Sequence, residues 1–316
     1  MRNTGKIIIL VGPTASGKTD LAIRLAQALD GEIISADSRI VYKDFDIGTA
    51  KPTAEEMALV PHYMVDIADP GETYTVGKYK KEVEKLIEDI QSRGKVPIVA
   101  GGTGFYIKAV FEGLDIPDVE PDIEFREEMR QLVQDKGKEF LYEKLKEADP
   151  KLALKLYPND SFRIIRALEV QKTIGKPMSE VQALSNSQYN TMYVGLNAEN
   201  RDFLYERINK RAHIMYENGL IDETKYLINK YGKTLSLLKT LGYKEVCEYL
   251  DNMCSLDESI QETQKTTRNY AKRQLTWFRA NKKIQWYFID KMACNEICEA
   301  VIKVIKSPNL SHRLKP

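Results

Sequence analysis

Apolar positions follow two alternating rhythms along the first hundred residues. Lys6–Val11 carries an unbroken apolar run rich in β-branched residues, Ile7–Val11, the pattern of a strand buried on both faces of a parallel sheet. A glycine-bounded turn follows. Leu21, Ala22, Leu25, Ala26 and Leu29 then recur at helical spacing, and Gly31 marks the expected stop. Glu32–Ala36 predicts a second strand ending at Asp37. Lys78–Ser92 predicts a charged amphipathic helix closed by Arg93 and Gly94. Val96–Ala100 is a third strand, running into Gly101-Gly102-Thr103-Gly104. Strand–helix alternation with glycine turns at strand ends predicts an α/β fold built on a parallel sheet flanked by helices.

The texture changes near Gly113. Residues 114–121 hold two prolines and three acidic residues, a linker composition. From about Asp122 to Gly175 the chain is charged and helical, with no strand pattern. Asp149-Pro150 starts one helix as N-cap and first position, and Asn159 or Asp160 caps another that ends at Gly175. The expected organisation is a first core segment, 1–113, an all-helical insertion, 114–190, and a second core segment, 191–316. The second core segment returns to the sheet at Val194–Leu196, continues as amphipathic helices to Arg279, and ends in a strand at Ile284–Ile289.

Length and composition narrow the function classes. The 316 residues are 43% hydrophobic and 29% charged, enough for a sizeable core without disulfides or metals. The longest aliphatic run, Ile7–Val11, is far too short to cross a bilayer, so a soluble, cytoplasmic protein is expected. The 47 basic and 46 acidic residues nearly cancel, so any nucleic-acid site must be local. Cys247, Cys254, Cys294 and Cys298, with His62, His213 and His312, fit no paired zinc pattern. Four reduced thiols are expected.

Gly12-Pro13-Thr14-Ala15-Ser16-Gly17-Lys18-Thr19 fits the phosphate-loop pattern G-x-x-x-x-G-K-[ST], with a strand before it and a helix after it. A random match occurs about once in a hundred chains of this length, and the strand–helix context lowers that further. The glycines let backbone N–H groups curl around an anion at a helix N-terminus. Lys18 supplies a mobile positive charge, and the Thr19 hydroxyl can ligate Mg²⁺. The core is therefore P-loop NTPase-like, and the loop specifies an oligophosphate or diphosphate without naming its bearer.

Ligands of open parallel sheets sit beyond the carboxyl ends of strands. Asp37 should therefore share a crevice with the phosphate loop, where it could orient Mg²⁺, hold a ribose, act as general base, or merely cap the next segment. Thr103 should reach the same crevice. Lys265, Arg268, Lys272 and Arg279 lie on one helical face, joined by Arg273, Lys282 and Lys283, with no acidic residue between Thr263 and Gln285. This is the strongest nucleic-acid candidate, with Tyr270 and Trp277 available for stacking; the bland reading is a solvated charged face. Arg163 with Arg166, and Arg207 with Arg211, are basic pairs that could meet phosphates or make surface salt bridges.

Taken together, these residues resemble the tRNA dimethylallyltransferase (tRNA isopentenyltransferase) family. The matching stretches are Gly12–Thr19, Ser35–Ser38, Asp46–Pro52, Gly101–Thr103 with Tyr106, Asn159-Asp160, Arg166–Val170, Gly242–Glu245 and Arg268–Arg279. They run in family order over nearly the whole chain. The length matches bacterial members, and the zinc finger that eukaryotic members often add has no counterpart.

The resemblance implies transfer of a dimethylallyl group from its diphosphate to N6 of the adenine 3′-adjacent to the tRNA anticodon, with Mg²⁺. Gly12, Thr14, Ala15, Ser16, Gly17, Lys18 and Thr19 would grip the diphosphate, with Arg207 and Arg211, and Thr19 would ligate Mg²⁺. Asp37 would take the proton from N6, and Thr103 would bond near the amine and the leaving group. The tRNA would be met by Asp37, Ser38, Arg39, Ile40, Thr103, Arg126, Asp160, Ser161, Phe162, Arg163, Ile164, Thr240, Gly242, Lys244, Arg268, Lys272, Arg273 and Arg279. The family usually carries Gln where this chain has Ile40, which cannot make the hydrogen bonds of an amide. A P-loop small-molecule or nucleotide kinase would explain the loop and Asp37 but not Arg268–Arg279. A free-adenylate isopentenyltransferase would need neither the insertion nor the basic helix. With no heptad seam or leftover apolar stripe, a monomer is expected.

Overall fold

The computed structural model describes residues 5–182 and 189–306. The end of the expected insertion, 183–188, and His312 therefore lie outside the described residues. Contacts divide the chain into two compact units, Met1–Ile107 with Tyr189–Pro316, and Lys108–Gln188. The division falls inside a helix rather than at the proline-bearing linker.

In the first unit the chain runs β1 (Ile7–Val11), α1 (Lys18–Leu29), β2 (Gly31–Ser35), α2 (Ala54–Leu59), β3 (His62–Tyr63), α3 (Val76–Ser92), β4 (Val96–Gly101) and α4 (Gly104–Phe111), the last spanning the division. The second unit carries α5 (Ile123–Lys136), α6 (Lys138–Ala148), α7 (Pro150–Ala153), α8 (Ser161–Ile174) and α9 (Met178–Val181). The first unit then resumes with β5 (Thr191–Asn197), α10 (Arg201–Glu217), α11 (Leu220–Tyr231), a 3₁₀ turn (Ser236–Lys239), α12 (Tyr243–Leu250), α13 (Leu256–Arg279), β6 (Ile284–Phe288) and α14 (Cys294–Lys306).

Among the described residues the six strands form one sheet in the order β3-β2-β4-β1-β5-β6. Every pairing in it is parallel. β1 and β2 are buried along their whole length, which is why they read as unbroken apolar runs. Leu21, Ala22, Leu25 and Ala26 of α1 join Ile8, Leu10, Ile98 and Val194 in the main core.

The strands expected at 6–11, 32–36, 96–100 and 284–289 form within a residue or so of their expected ends. β5 starts three residues before Val194, because Met192 and Tyr193 are buried too, and runs one residue past Leu196. Two elements leave no periodic trace: β3 has two residues, and α2 buries nothing and is started by a Thr53–Glu56 capping box. Gly31 is not the stop of α1. Asp30 takes the left-handed turn at φ 48°, and Gly31 already lies in β2, where a Cβ would sit 2.8 Å from the Val96 carbonyl oxygen.

The second unit has its own apolar core, including Met129, Leu141, Leu145, Ile164 and Ile165. Asp149 caps α7 with Pro150 behind it, Asp160 caps α8, and Gly175 ends it. Beside that core Glu169 is fully buried. Its carboxylate accepts from Arg126 (2.7 and 2.8 Å), Arg166 (2.5 Å) and the Asp122 amide (2.8 Å). Burial pushes its carboxyl up, but the two arginines outweigh that and hold it below the ordinary range. The four cysteines are free thiols. Among the described residues no helix is long and apolar enough to cross a membrane.

Candidate active site

The phosphate loop joins β1 to α1. Gly12 is at φ 152°, and a Cβ there would lie 2.5 Å from the Leu196 carbonyl oxygen on β5. The loop can pass so close to the sheet only without a side chain. Gly17, in the left-handed region, is the N-cap of α1, so Lys18 and Thr19 open the helix. The buried Ser16 hydroxyl has no hydrogen-bond partner among the described residues. Such a group is costly to bury unless a ligand satisfies it.

The Lys18 ammonium folds back to donate to the carbonyls of Gly12 (3.0 Å) and Pro13 (2.7 Å). Burial, with Arg211 nearby, lowers its pKa to about 7, against the opposing pull of Asp37. Burial also lowers the pKa of Arg211, which feels Asp37 as well. One field thus couples Lys18, Arg211 and Asp37. Arg207 reaches the loop directly, its Nε donating to the Ala15 carbonyl at 2.8 Å.

The ends of β2 and β4 supply the facing groups. Asp37 follows β2, and its Oδ1 accepts from the Arg39 amide at 2.8 Å. The Thr103 N–H donates to the Ala36 carbonyl (3.0 Å), while its hydroxyl oxygen accepts from the Ser38 amide (3.0 Å). That oxygen keeps its own proton free to donate. Gly101 is obligatory here, since a Cβ would meet the Ala36 backbone at 2.2 Å. The pKa values of Tyr79, Tyr106 and Tyr270 are raised, first by burial and in part by the Asp37 charge. The Tyr79 and Tyr106 rings stack at 3.8 Å.

Helix α13 forms a further wall. Its Gln274 is 5% exposed. The side-chain oxygen accepts from the Thr14 amide at 2.9 Å, and the nitrogen donates to the Gly102 carbonyl at 3.1 Å. Trp277 lies against Gly104, where a Cβ would fall 2.1 Å from its ring, and packs edge-on to Phe105 at 6.5 Å. The sequence assigns Gln274 no role, although a polar residue one turn from the apolar Ala271 and Phe278 is a readable signal.

Several residues expected at tRNA are engaged elsewhere. Ile164 is 0% exposed in the second unit's core and has no free side chain to offer. Arg126 is held by Glu169, and Arg166 makes a buried ion pair rather than a surface one. Gly242 is buried with its N–H on Glu245 at 2.8 Å. Thr240 donates its hydroxyl to the Leu237 carbonyl. Arg268 donates to Asn209 at 2.6 Å.

Gly242, Tyr243 and Glu245 form a buried joint, with Lys244 facing solvent. Glu245 also accepts from Thr266, and Tyr243 donates to Glu223, which accepts the amides of Ile47 and Gly48. The exposed members of the expected set are Arg39, Phe162, Arg163, Lys244, Lys272, Arg273 and Arg279, and Arg163 is paired with Asp160. Ser38, Ile40, Asp160 and Ser161 are partly exposed.

The model of a family described as IPP transferase matches residues 40–281. A tRNA dimethylallyltransferase of Caldanaerobacter subterraneus is 47% identical over 293 residues, covering 90% of this chain and 92% of its own. One of Carboxydothermus hydrogenoformans is 45% identical, with 94% and 96% covered. Among solved structures, a full-length tRNA isopentenylpyrophosphate transferase of Bacillus halodurans superposes with a TM-score of 0.70 at 40% identity, covering 97% of this chain and 99% of that one. A eukaryotic dimethylallyltransferase acting on tRNA reaches a TM-score of 0.80 at 28% identity, with 98% and 80% covered. A phosphate loop, a carboxylate and a hydroxyl at three neighbouring strand ends thus sit in a chain that belongs to the IPP transferase family of enzymes.

Proposed function

We propose that the protein transfers a dimethylallyl group from dimethylallyl diphosphate to N6 of the adenine 3′-adjacent to the tRNA anticodon. The observation that carries this reading is the grouping of Lys18 and Arg211 within electrostatic reach of Asp37, with Thr103 hydrogen-bonded to the neighbouring Ser38 amide, in a chain of this family. The exocyclic nitrogen is a poor nucleophile, because its lone pair is delocalised into the ring. The Asp37 carboxylate accepts the N6 proton as that lone pair bonds to the dimethylallyl C1. The C1–O bond breaks, and its electron pair leaves on the diphosphate. General base catalysis of this kind contributes about 10²–10⁴-fold. Lys18, Arg211, Arg207 and the unpartnered Ser16 hydroxyl receive the growing charge on the leaving group. The Thr103 hydroxyl donates to the leaving oxygen or orients the amine. The acceptor base must leave its stack to enter the crevice.

The Thr19 hydroxyl, at the first turn of α1, would ligate Mg²⁺, which would take its remaining ligands from substrate phosphates and water. When bound at Thr19 it would offset charge on the diphosphate. The exposed basic residues of α13 and residues 37–40 would meet the tRNA, and the working form would be a cytoplasmic monomer.

The test offers labelled dimethylallyl diphosphate with Mg²⁺ to unmodified tRNA, to AMP, and to no acceptor plus ATP. Label should enter tRNA and fail to do so with Asp37→Ala. Label entering only AMP would make the acceptor a free nucleotide. Phosphate moving from ATP to a small acceptor, without prenyl transfer, would overturn the reading.

A further inference from the structure

We propose that Gln274 is a positioning residue that fixes the diphosphate-gripping loop against the Asp37–Thr103 pair, a role that rests on the prenyl transfer proposed above. Its amide is the middle of a continuous hydrogen-bonded path through three strand ends. The path begins at the Thr14 N–H of the loop after β1 and enters the Gln274 oxygen at 2.9 Å. It leaves from the Gln274 nitrogen to the Gly102 carbonyl at 3.1 Å in the turn after β4. One residue on, Thr103 binds the Ala36 carbonyl and the Ser38 amide, either side of Asp37, after β2.

The geometry permits only one orientation of the amide. Flipped, it would set N–H against N–H at Thr14 and oxygen against oxygen at Gly102. Gly102 is matched to it, since a Cβ there would lie 2.1 Å from the Gln274 nitrogen. Gln274 is rigidly mounted. It is buried, flanked on its helix by buried Ala271 and Phe278, and α13 is a 24-residue helix with a capping box at Ser255 and Glu258.

The reaction gives this link its consequence. The loop holds the leaving group, while Asp37 and Thr103 act at the amine. In-line displacement needs a fixed separation between the two, and a misplacement of about 1 Å costs about 10²-fold in rate. Gln274 touches neither substrate in this role. It therefore governs the chemical step and the shape of the diphosphate cradle, not the hold on tRNA.

The test compares the wild type with Gln274→Met, which keeps volume and removes both hydrogen bonds, and Gln274→Glu, which keeps the acceptor for Thr14 and loses the donor to Gly102. The readouts are the single-turnover transfer rate, KM for tRNA, the melting midpoint, and the affinity of the tRNA-free protein for inorganic diphosphate with Mg²⁺. The expected result for Gln274→Met is a rate lower by about 10–10²-fold, a several-fold weaker diphosphate affinity, and a tRNA KM within twofold of wild type. Gln274→Glu should also slow transfer, and it serves where the Met variant does not fold. Either variant transferring at the wild-type rate per folded molecule overturns the assignment. So does a loss confined to tRNA KM. If the wild type itself moves no label to tRNA, the function reading fails, while the diphosphate titration still decides the role of Gln274.

Discussion

The two ends of the same sheet each carry a cluster of charges, and the clusters are built on opposite principles. At the amino ends of β2 and β4, Glu32 is 2% exposed in side chain and fully satisfied. It accepts two bonds from Arg93 (2.5 and 2.7 Å) and one from Tyr63 (2.9 Å), with Lys95 at 3.3 Å. At the carboxyl ends, Lys18 bonds only to its own loop, Arg211 has no hydrogen bond among the described residues, and Asp37 holds one backbone amide. Glu32 is buried, and Lys18, Arg211 and Asp37 are partly buried. Unused bonding capacity marks only the second cluster, as the proposed chemistry requires and a purely structural cluster does not.

The largest expected effect breaks this contrast at Asp37. Asp37→Asn should lower single-turnover transfer to tRNA by about 10²–10⁴-fold. The melting midpoint should hardly move, because one Arg39 amide is all that the side chain holds. An unfolded Asn variant, or one that transfers normally, would make Asp37 another structural carboxylate.

The mirror experiment is Glu32→Gln. Breaking a buried ion pair costs about 3–5 kcal/mol. Arg93 is more than a third exposed and also pairs with Asp89, which reduces this to about 2 kcal/mol. Stability should fall by that amount in denaturant titrations, with the transfer rate per folded molecule unchanged. Arg93, burial notwithstanding, and then Tyr63 and Lys95 hold the Glu32 carboxyl at about 2, below its ordinary 4.5. A depressed carboxylate stabilises the fold above its unfolded pKa. The gap between wild type and variant should therefore be full above pH about 4.5 and close as pH falls towards 2. A gap that stays constant over that range would mean the charge of Glu32 does not contribute.

Lys18 sharpens the contrast at the other end. Its pKa of about 7 leaves the ligand-free side chain mostly neutral at pH 8, and a bound diphosphate restores the charge. Calorimetry in two buffers should show the wild type taking up more protons on binding diphosphate at pH 8 than Lys18→Met does. The difference should vanish near pH 6, where Lys18 is already protonated. Equal uptake at pH 8 would mean that the ammonium stays charged throughout.

What could be read from sequence follows from range. The phosphate loop, its flanking β1 and α1, and the caps at Asp149 and Asp160 are set by neighbours along the chain, and each forms where expected apart from the stop at Asp30. Asp37 and Thr103 could be placed in one crevice because parallel strands expose their carboxyl ends together. Contacts across long separations were not legible. Gln274 meets Thr14 from 260 residues away, and Glu223 reaches Ile47 across 176. Nor could a charge pattern say which arginines remain free. The resemblance puts Arg126 at the tRNA, and Arg166 reads as a phosphate contact or a surface salt bridge, yet Glu169, which binds both, is wholly buried, and neither periodicity nor spacing reveals that burial.

The smallest expected effect tests that distinction within α13. Lys265 and Arg279 share one face of the helix and look equivalent in sequence. Lys265 is paired with Glu262 at 2.9 Å, whereas Arg279 is exposed near the helix end with no partner among the described residues. An ion already neutralised releases fewer counterions when RNA binds, so its loss should barely alter salt dependence. Arg279→Ala should reduce the slope of log affinity for tRNA against log salt by about 0.7–0.9 per lost phosphate contact. Lys265→Ala should leave that slope nearly unchanged. Both changes should leave the single-turnover rate at saturating tRNA unaltered. If both variants shift the slope equally, the Glu262 pair opens on binding, and pairing in the free protein then does not mark a side chain as structural on this helix.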